Sequence, residues 1–312
     1  MVKIRLLGDT KDHIVNSITK YHQMTKTYFL RHYFPDCYRY EYVAENDEAD
    51  ICIVGVQHQD NSLLRDHELN VMFCVENLAT FRPNYAHLHK YHFYENKKID
   101  VFIYNHITSY SVIRNKIPRA LPIIFYQLVY YNKMKETMKH LCSVPFEEKK
   151  FCLFISQNNL NDNKQRALSM LRSIGDIDFI FNFPNLSDKS CYHSPELIKL
   201  FNQYKFIITF ENSHTHGYIT EKIFNVFLAK SIPIYDANND IDSYINPKSF
   251  LKFDKNLPKY LNIILNDKKI YEWMINTDKV LPDKNKQWSN VMDYMKLNME
   301  EKIPKQNLNV VN

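Results

Sequence analysis

Short apolar runs separated by polar, helix-like stretches recur along this chain from its first residues. KIRLLG, ADICIVGVQ, NVMFCVEN, IDVFIYNHI and ALPIIFYQ each have the length of a buried strand, and segments such as His13 to Leu30 lie between them. A second alternation begins at Lys149: KKFCLFIS as strand, Asn163 to Ser173 as helix, DIDFIFN as strand, Pro195 to Tyr204 as helix. FIITFEN then reads as a strand, Glu221 to Lys230 as a helix and SIPIYDA as a strand. Strands alternating with helices of about ten residues predict parallel sheets, so the fold class is α/β. Between the two alternations, Tyr131 to Lys150 is highly charged and carries a proline, which marks a linker or interdomain helix. Trp288 to Ile303 predicts a closing helix. A chain of 312 residues is longer than one core commonly supports, and the pattern divides it into domains at 1–140 and 141–312.

The run Phe206 to Phe210 stops abruptly at Glu211-Asn212-Ser213, and the next helix opens at Glu221. Strand-to-helix junctions of this kind are where open α/β sheets bind ligands. Thr220 is suited to cap the helix, whose unpaired N–H groups and positive dipole end favour a phosphate. Lys222 adds a full charge, Glu221 is an acceptor fitted to ribose hydroxyls, and Tyr218 offers a hydroxyl or a flat face to a nucleotide. The plainer alternative is that Glu221 and Lys222 are surface charges of a first helical turn and Tyr218 a packing residue. Glu211 and Asn212 are candidates for the same site, or for fixing the loop by hydrogen bonds.

Composition narrows the chemistry. A formal charge of +5, spread along the chain, favours a phosphorylated small molecule over a nucleic-acid track. Only four glycines occur and no two are close, which excludes the phosphate loop and the dinucleotide fingerprint. The six cysteines stand far apart without paired spacing, against zinc and against a disulfide framework. The apolar start MVKIRLLG is too short for a signal peptide, and no run approaches the roughly 18 apolar residues of a membrane span. The expectation is a cytoplasmic chain without a transmembrane span, with peripheral membrane association left open.

FENSHTHGYITEKIFNVFLAKSIPIYDA, followed by INPKSFLKF, resembles the donor-binding motif of the α-1,3-fucosyltransferases, which transfer L-fucose from GDP-fucose. The resemblance implies two Rossmann-like domains facing across a cleft (GT-B type), with an acceptor-binding domain first and a GDP-sugar domain second. It implies Lys222 on the diphosphate, Glu221 on the ribose and Tyr218 on the donor. FCLFISQNNLNDNKQRALSML resembles the family's strand before a phosphate-facing arginine; here Lys164 takes that position, with Arg166 two residues on. Lysine supplies a point charge where arginine supplies a fork. NVMFCVEN resembles the strand that ends in the family's catalytic base, which implies Glu76 in that role, although Val75 replaces a glycine. His214 and His216 fall in the family's variable loop. Asp236-Ala237 departs from the family's glycine, either as a turn or as an altered donor or acceptor preference.

The activity implied is inverting transfer of L-fucose from GDP-fucose to a saccharide hydroxyl, in α-1,3 linkage. No cofactor is tightly bound, no metal site is evident at the donor motif, and a divalent metal is not essential. Partners are a nucleotide sugar and a saccharide acceptor, with no nucleic acid. One alternative is a GT-B enzyme with another nucleotide-sugar donor; a remote one is a non-catalytic nucleotide- or RNA-binding protein, disfavoured because the aromatics are not interleaved with a basic stripe.

Overall fold

The computed structural model describes residues 1–7, 38–55, 63–74, 99–104, 120–122, 131, 134–136, 138–156, 161–181, 195–211, 214, 219–236, 239–282, 293, 295–305 and 308. Its contacts divide the chain into two compact units. The first comprises Met1–Tyr126, Thr215–Gly217 and Asn285–Asn312, and the second Gln127–His214 and Tyr218–Lys284.

In the first unit the apolar runs form β1 (Val2–Leu7), β3 (Ile51–Gly55), β4 (Leu69–Cys74), β5 (Val101–Tyr104) and β6 (Ala120–Pro122), joined at one edge by β2 (Tyr40–Tyr42). All described pairings are parallel, in the order β2-β1-β3-β4-β5-β6. β2 gave no sequence signal, because its three residues are half-buried and lack an apolar run. The pattern on β1 is broken by Arg5, which is fully buried and pairs with the equally buried Glu68 at 2.5 Å. Register places Arg5 beside Cys52, and Cys52 beside Asn70. Arg5 therefore lies on a lateral row across three strands, where burial pushes the Cys52 thiol up to about 12. Residues 295–302 are helical within the expected closing helix, and Lys302 of that segment reaches Asp100 at 2.5 Å. The predicted helix from His13 to Leu30 lies outside the described residues.

The second unit carries the other sheet: β7 (Lys150–Ser156), β8 (Ile177–Phe181), β9 (Tyr204–Phe210), β10 (Ile232–Asp236) and β11 (Leu251–Lys252). Helices α1 (Asp162–Arg172), α2 (Pro195–Phe201) and α3 (Glu221–Leu228) alternate with these strands, and α4 (Leu257–Asn266) and α5 (Lys268–Asn276) follow. The order β11-β10-β9-β7-β8 is parallel throughout. β9 lies between two neighbours and is buried at six of its seven positions, as a strand covered on both faces requires. Cys152, Phe154, Phe206, Ile208 and Ile234 from the strands meet Leu168, Leu171, Leu261 and Tyr271 from the helices in one core. Helix α2 stops at Phe201, earlier than its polar spacing suggested, because β9 begins at Tyr204. The charged stretch from Tyr131 to Lys150 falls within this unit's bounds, and the buried Tyr131 ring lies 5.6 Å from Phe224 and 6.3 Å from Phe227.

One polar knot ties the ends of the sheet opposite the C-terminal strand ends. Lys149, only 3% exposed, donates from Nζ to Asn202 O (2.7 Å), Asn202 Oδ1 (3.1 Å) and Lys230 O (3.1 Å). Lys230 adopts φ 52 just after α3, where Lys230 N donates to Phe227 O and Ser231 N to Val226 O. These two reversed bonds are a Schellman closure, with a lysine where glycine is usual.

Candidate functional site

Open parallel sheets bind ligands beyond the carboxyl ends of their strands, where the strand order reverses. In the second unit that point lies between β7 and β9: the chain leaves β7 toward β8 on one side and returns to β9 on the other. Helix α1 starts after β7 and α3 after β9, so two helix N-termini belong to this position. Each is capped from its own sequence. Asn161 accepts from Lys164 N at 3.0 Å, and Thr220 caps α3. The first turns thus deliver Lys164 and Lys222.

Glu211, the residue after β9, holds this arrangement from below. Its side chain is fully buried, which would be costly for a carboxylate without donors. Oε1 accepts from Thr220 N at 2.9 Å and Tyr235 OH at 2.6 Å, and Oε2 accepts from Lys222 Nζ at 2.9 Å. Thr220 Oγ1 stands 2.9 Å from both carboxylate oxygens and accepts from Lys222 Nζ at 3.0 Å. Glu211 therefore positions the cap and the lysine from inside the protein. Tyr235, deep in the apolar run of β10, supplies a donor that its sequence setting did not announce.

Lys222 is 24% exposed at its side chain and retains a path to solvent. Lys164 is half-buried, with Nζ 3.5 Å from Ser156 Oγ at the end of β7. Burial lowers the Lys164 pKa, and the nearby charge of Lys222 lowers it further. Two ammonium groups from two helix starts thus repel each other at the switch point. An anion between them relieves that repulsion, and the helix ends add partial positive charge. Arg166, two residues further on, is exposed and close enough for its charge to act on Asp236. Glu221 opens α3, half-buried beside Lys222.

The sequence-derived candidates Lys164, Glu211, Thr220, Glu221 and Lys222 are brought to one edge of one sheet, with Arg166 at its margin. Asn212, Tyr218 and Glu76 lie outside the described residues. Two residues absent from the candidate set also stand here. Asp236 at the end of β10 receives Asn163 Nδ2 at 3.3 Å, and His214 Nε2 lies 3.2 Å from its Oδ2. Among the described residues, no group of three or more His, Cys, Asp or Glu side chains could hold a metal ion.

The fold and site define an α/β protein with two lysines gathered on capped helix starts at its switch point. Residues 144–297 match the family model of glycosyltransferase family 10 (fucosyltransferase), C-terminal part. This stretch, which makes up most of the second unit, belongs to that fucosyltransferase family. It is 28% identical over 122 residues to the α-(1,3)-fucosyltransferase FucT of Helicobacter pylori, a match covering 38% of this chain and 25% of that protein. Among the curated relatives at the head of the comparison, the matched stretches span only 25 to 30% of each relative's length. A crystal structure of an α1,3-fucosyltransferase superposes with a TM-score of 0.61 at 19% identity, covering 96% of this chain and 90% of that one. A second, with GDP-fucose, gives 0.60 over the same shares. This likeness is one of fold, the two-sheet α/β class of GT-B glycosyltransferases.

Proposed function

We propose that the protein transfers L-fucose from GDP-fucose to a saccharide hydroxyl, with inversion and in α-1,3 linkage. The observation that carries this reading is the pair Lys164 and Lys222, two mutually repelling cations on two capped helix starts at the switch point of a family 10 C-terminal domain. Relatives named α-(1,3)-fucosyltransferase and a solved relative with GDP-fucose supply the donor and linkage.

In this mechanism the diphosphate sits against Lys222 and Lys164, with Arg166 adding charge from the margin and Glu221 accepting from the ribose. Asn212 and Tyr218 complete the donor contacts, on the strength of the sequence motif. A carboxylate, assigned to Glu76, takes the proton of the acceptor hydroxyl as that oxygen attacks the anomeric carbon. The bond from that carbon to the diphosphate breaks, and the electron pair leaves with GDP. Fixed ammonium groups and helix N–H groups stabilise the charge as it develops, without reorganising. Positive charge from the chain itself takes the part a divalent ion would otherwise play, so the reaction needs no essential metal.

The test is a donor panel on the full chain, following nucleotide release with GDP-fucose, other GDP-sugars and UDP-sugars, each with a saccharide acceptor and with and without a chelator. GDP-fucose is expected to be turned over and the chelator to leave the rate unchanged. Turnover of a different donor alone would replace fucose in this reading. Asp236, a carboxylate where the family motif has no counterpart, is the observation that favours that second donor.

A further inference from the structure

The Asp236 side chain is only 14% exposed, yet it ends a central strand beside Glu211, whose backbone N–H donates to Asp236 O at 3.0 Å. Its carboxylate is met from two directions. Asn163, the residue before Lys164, approaches at 3.3 Å, and His214 Nε2 at 3.2 Å, with the imidazole 46% exposed. Burial holds the Asp236 pKa above the usual carboxylate range, and His214, Asn163 and Arg166 offset part of that rise.

A carboxylate accepting from Nε2–H fixes the orientation of the imidazole and leaves Nδ1 for another partner. It also repels phosphate, so this corner is unsuited to the diphosphate that the lysines attract. Hydroxyl groups, which donate and accept, fit an imidazole held in this way. Ribose and the transferred sugar both carry such hydroxyls, and Glu221 beside Lys222 already offers an acceptor for ribose. We propose that His214 and Asp236 form a sugar-binding arm of the donor site: His214 hydrogen-bonds hydroxyls of the sugar carried by the nucleotide, and Asp236 is the positioning residue that holds it. This inference rests on the nucleotide-sugar reading above.

Calorimetry with GDP-fucose and with GDP, on the full chain, separates the sugar from the nucleotide. His214→Ala should weaken GDP-fucose binding about tenfold and leave GDP binding within about twofold, the difference that one hydrogen-bonded contact makes. Asp236→Asn should give a smaller loss of the same kind, since the amide oxygen still accepts from Nε2–H. The double variant should be no worse than His214→Ala, because Asp236 acts through His214. His214 is half-exposed, so its removal leaves the fold intact, and retained GDP binding reports that directly. Equal loss of GDP and GDP-fucose, or no loss of either, overturns the proposal. Additive losses in the double variant overturn the positioning role of Asp236. A wild-type chain that binds neither ligand overturns the nucleotide-sugar reading, and this inference with it; wild-type binding with unchanged variants overturns this inference alone.

Discussion

Lys222 and Lys164 differ in how they are held, and the difference sets their expected weight. Lys222 is braced by Glu211 and Thr220 and still reaches solvent, whereas Lys164 is half-buried against Ser156. Lys222→Ala should cost about 1.5–3 kcal/mol of GDP binding, roughly tenfold to a hundredfold in affinity by calorimetry. Unchanged affinity would place the phosphates elsewhere. Lys164→Ala should follow in the same direction and Arg166→Ala less, since Arg166 is exposed; a double variant tests whether the arginine compensates. Glu211 has a different task. Glu211→Ala strips the buried Tyr235 hydroxyl and the part-buried Lys222 ammonium of their acceptor and should destabilise the chain by about 1–3 kcal/mol in urea unfolding. The cap and the lysines were legible in the sequence because capping and first-turn charge are local. So was the alternative that Glu211 fixes its loop by hydrogen bonds, as it does through Thr220, but its reach to Tyr235 was not, since that partner stands 24 residues away.

Elements carry their own stresses, most visibly around α3. Its interior from Ile223 to Leu228 is wholly buried, and its end is closed by Lys230 in the left-handed region. Lys230→Gly removes a strained Cβ at the cost of some unfolded-state entropy, and should raise stability by about 0.5–1 kcal/mol. A fall in the unfolding midpoint would show that the lysine side chain contributes more than the strain. The Lys230 carbonyl also helps to hold Lys149, whose pKa burial pushes down to about 7, aided by the charges of Lys205 and Lys230. In the unfolded chain that group titrates near 10.5, so between about 7 and 10.5 the unfolded state binds more protons. Stability from this group therefore rises with pH across that window and is lost as pH falls through about 7. The slope approaches at most about 1.4 kcal/mol per pH unit for one proton. Urea titrations from pH 7 to 10 should show that rise, and Lys149→Met should flatten it; an equal slope in the variant would assign the effect to other groups. Helices α4 and α5 carry a weak sequence signal, because their apolar positions are diluted by lysine and asparagine and they meet at Asp267, which caps α5.

For the whole molecule, the two units are expected to divide the labour, the second binding the donor and the first supplying the base. Glu76→Gln should lower kcat by about 10²- to 10⁴-fold while GDP affinity, by calorimetry, stays at the wild-type level. Loss of GDP binding, or a retained kcat, would move the base to another carboxylate. By itself the sequence determined the α/β alternation, the strand ends at Ser156 and Phe210, and the helix starts that carry Lys164 and Lys222. Apolar periodicity, capping and charge are properties of neighbours along the chain. Only the tertiary structure decided that β9 returns beside β7, that Tyr235 reaches Glu211, and that Asn163, His214 and Asp236 meet at one edge. Parallel strands are joined by long crossovers, so their lateral order, and every contact that depends on it, is set by packing between distant segments and leaves no local mark in the sequence.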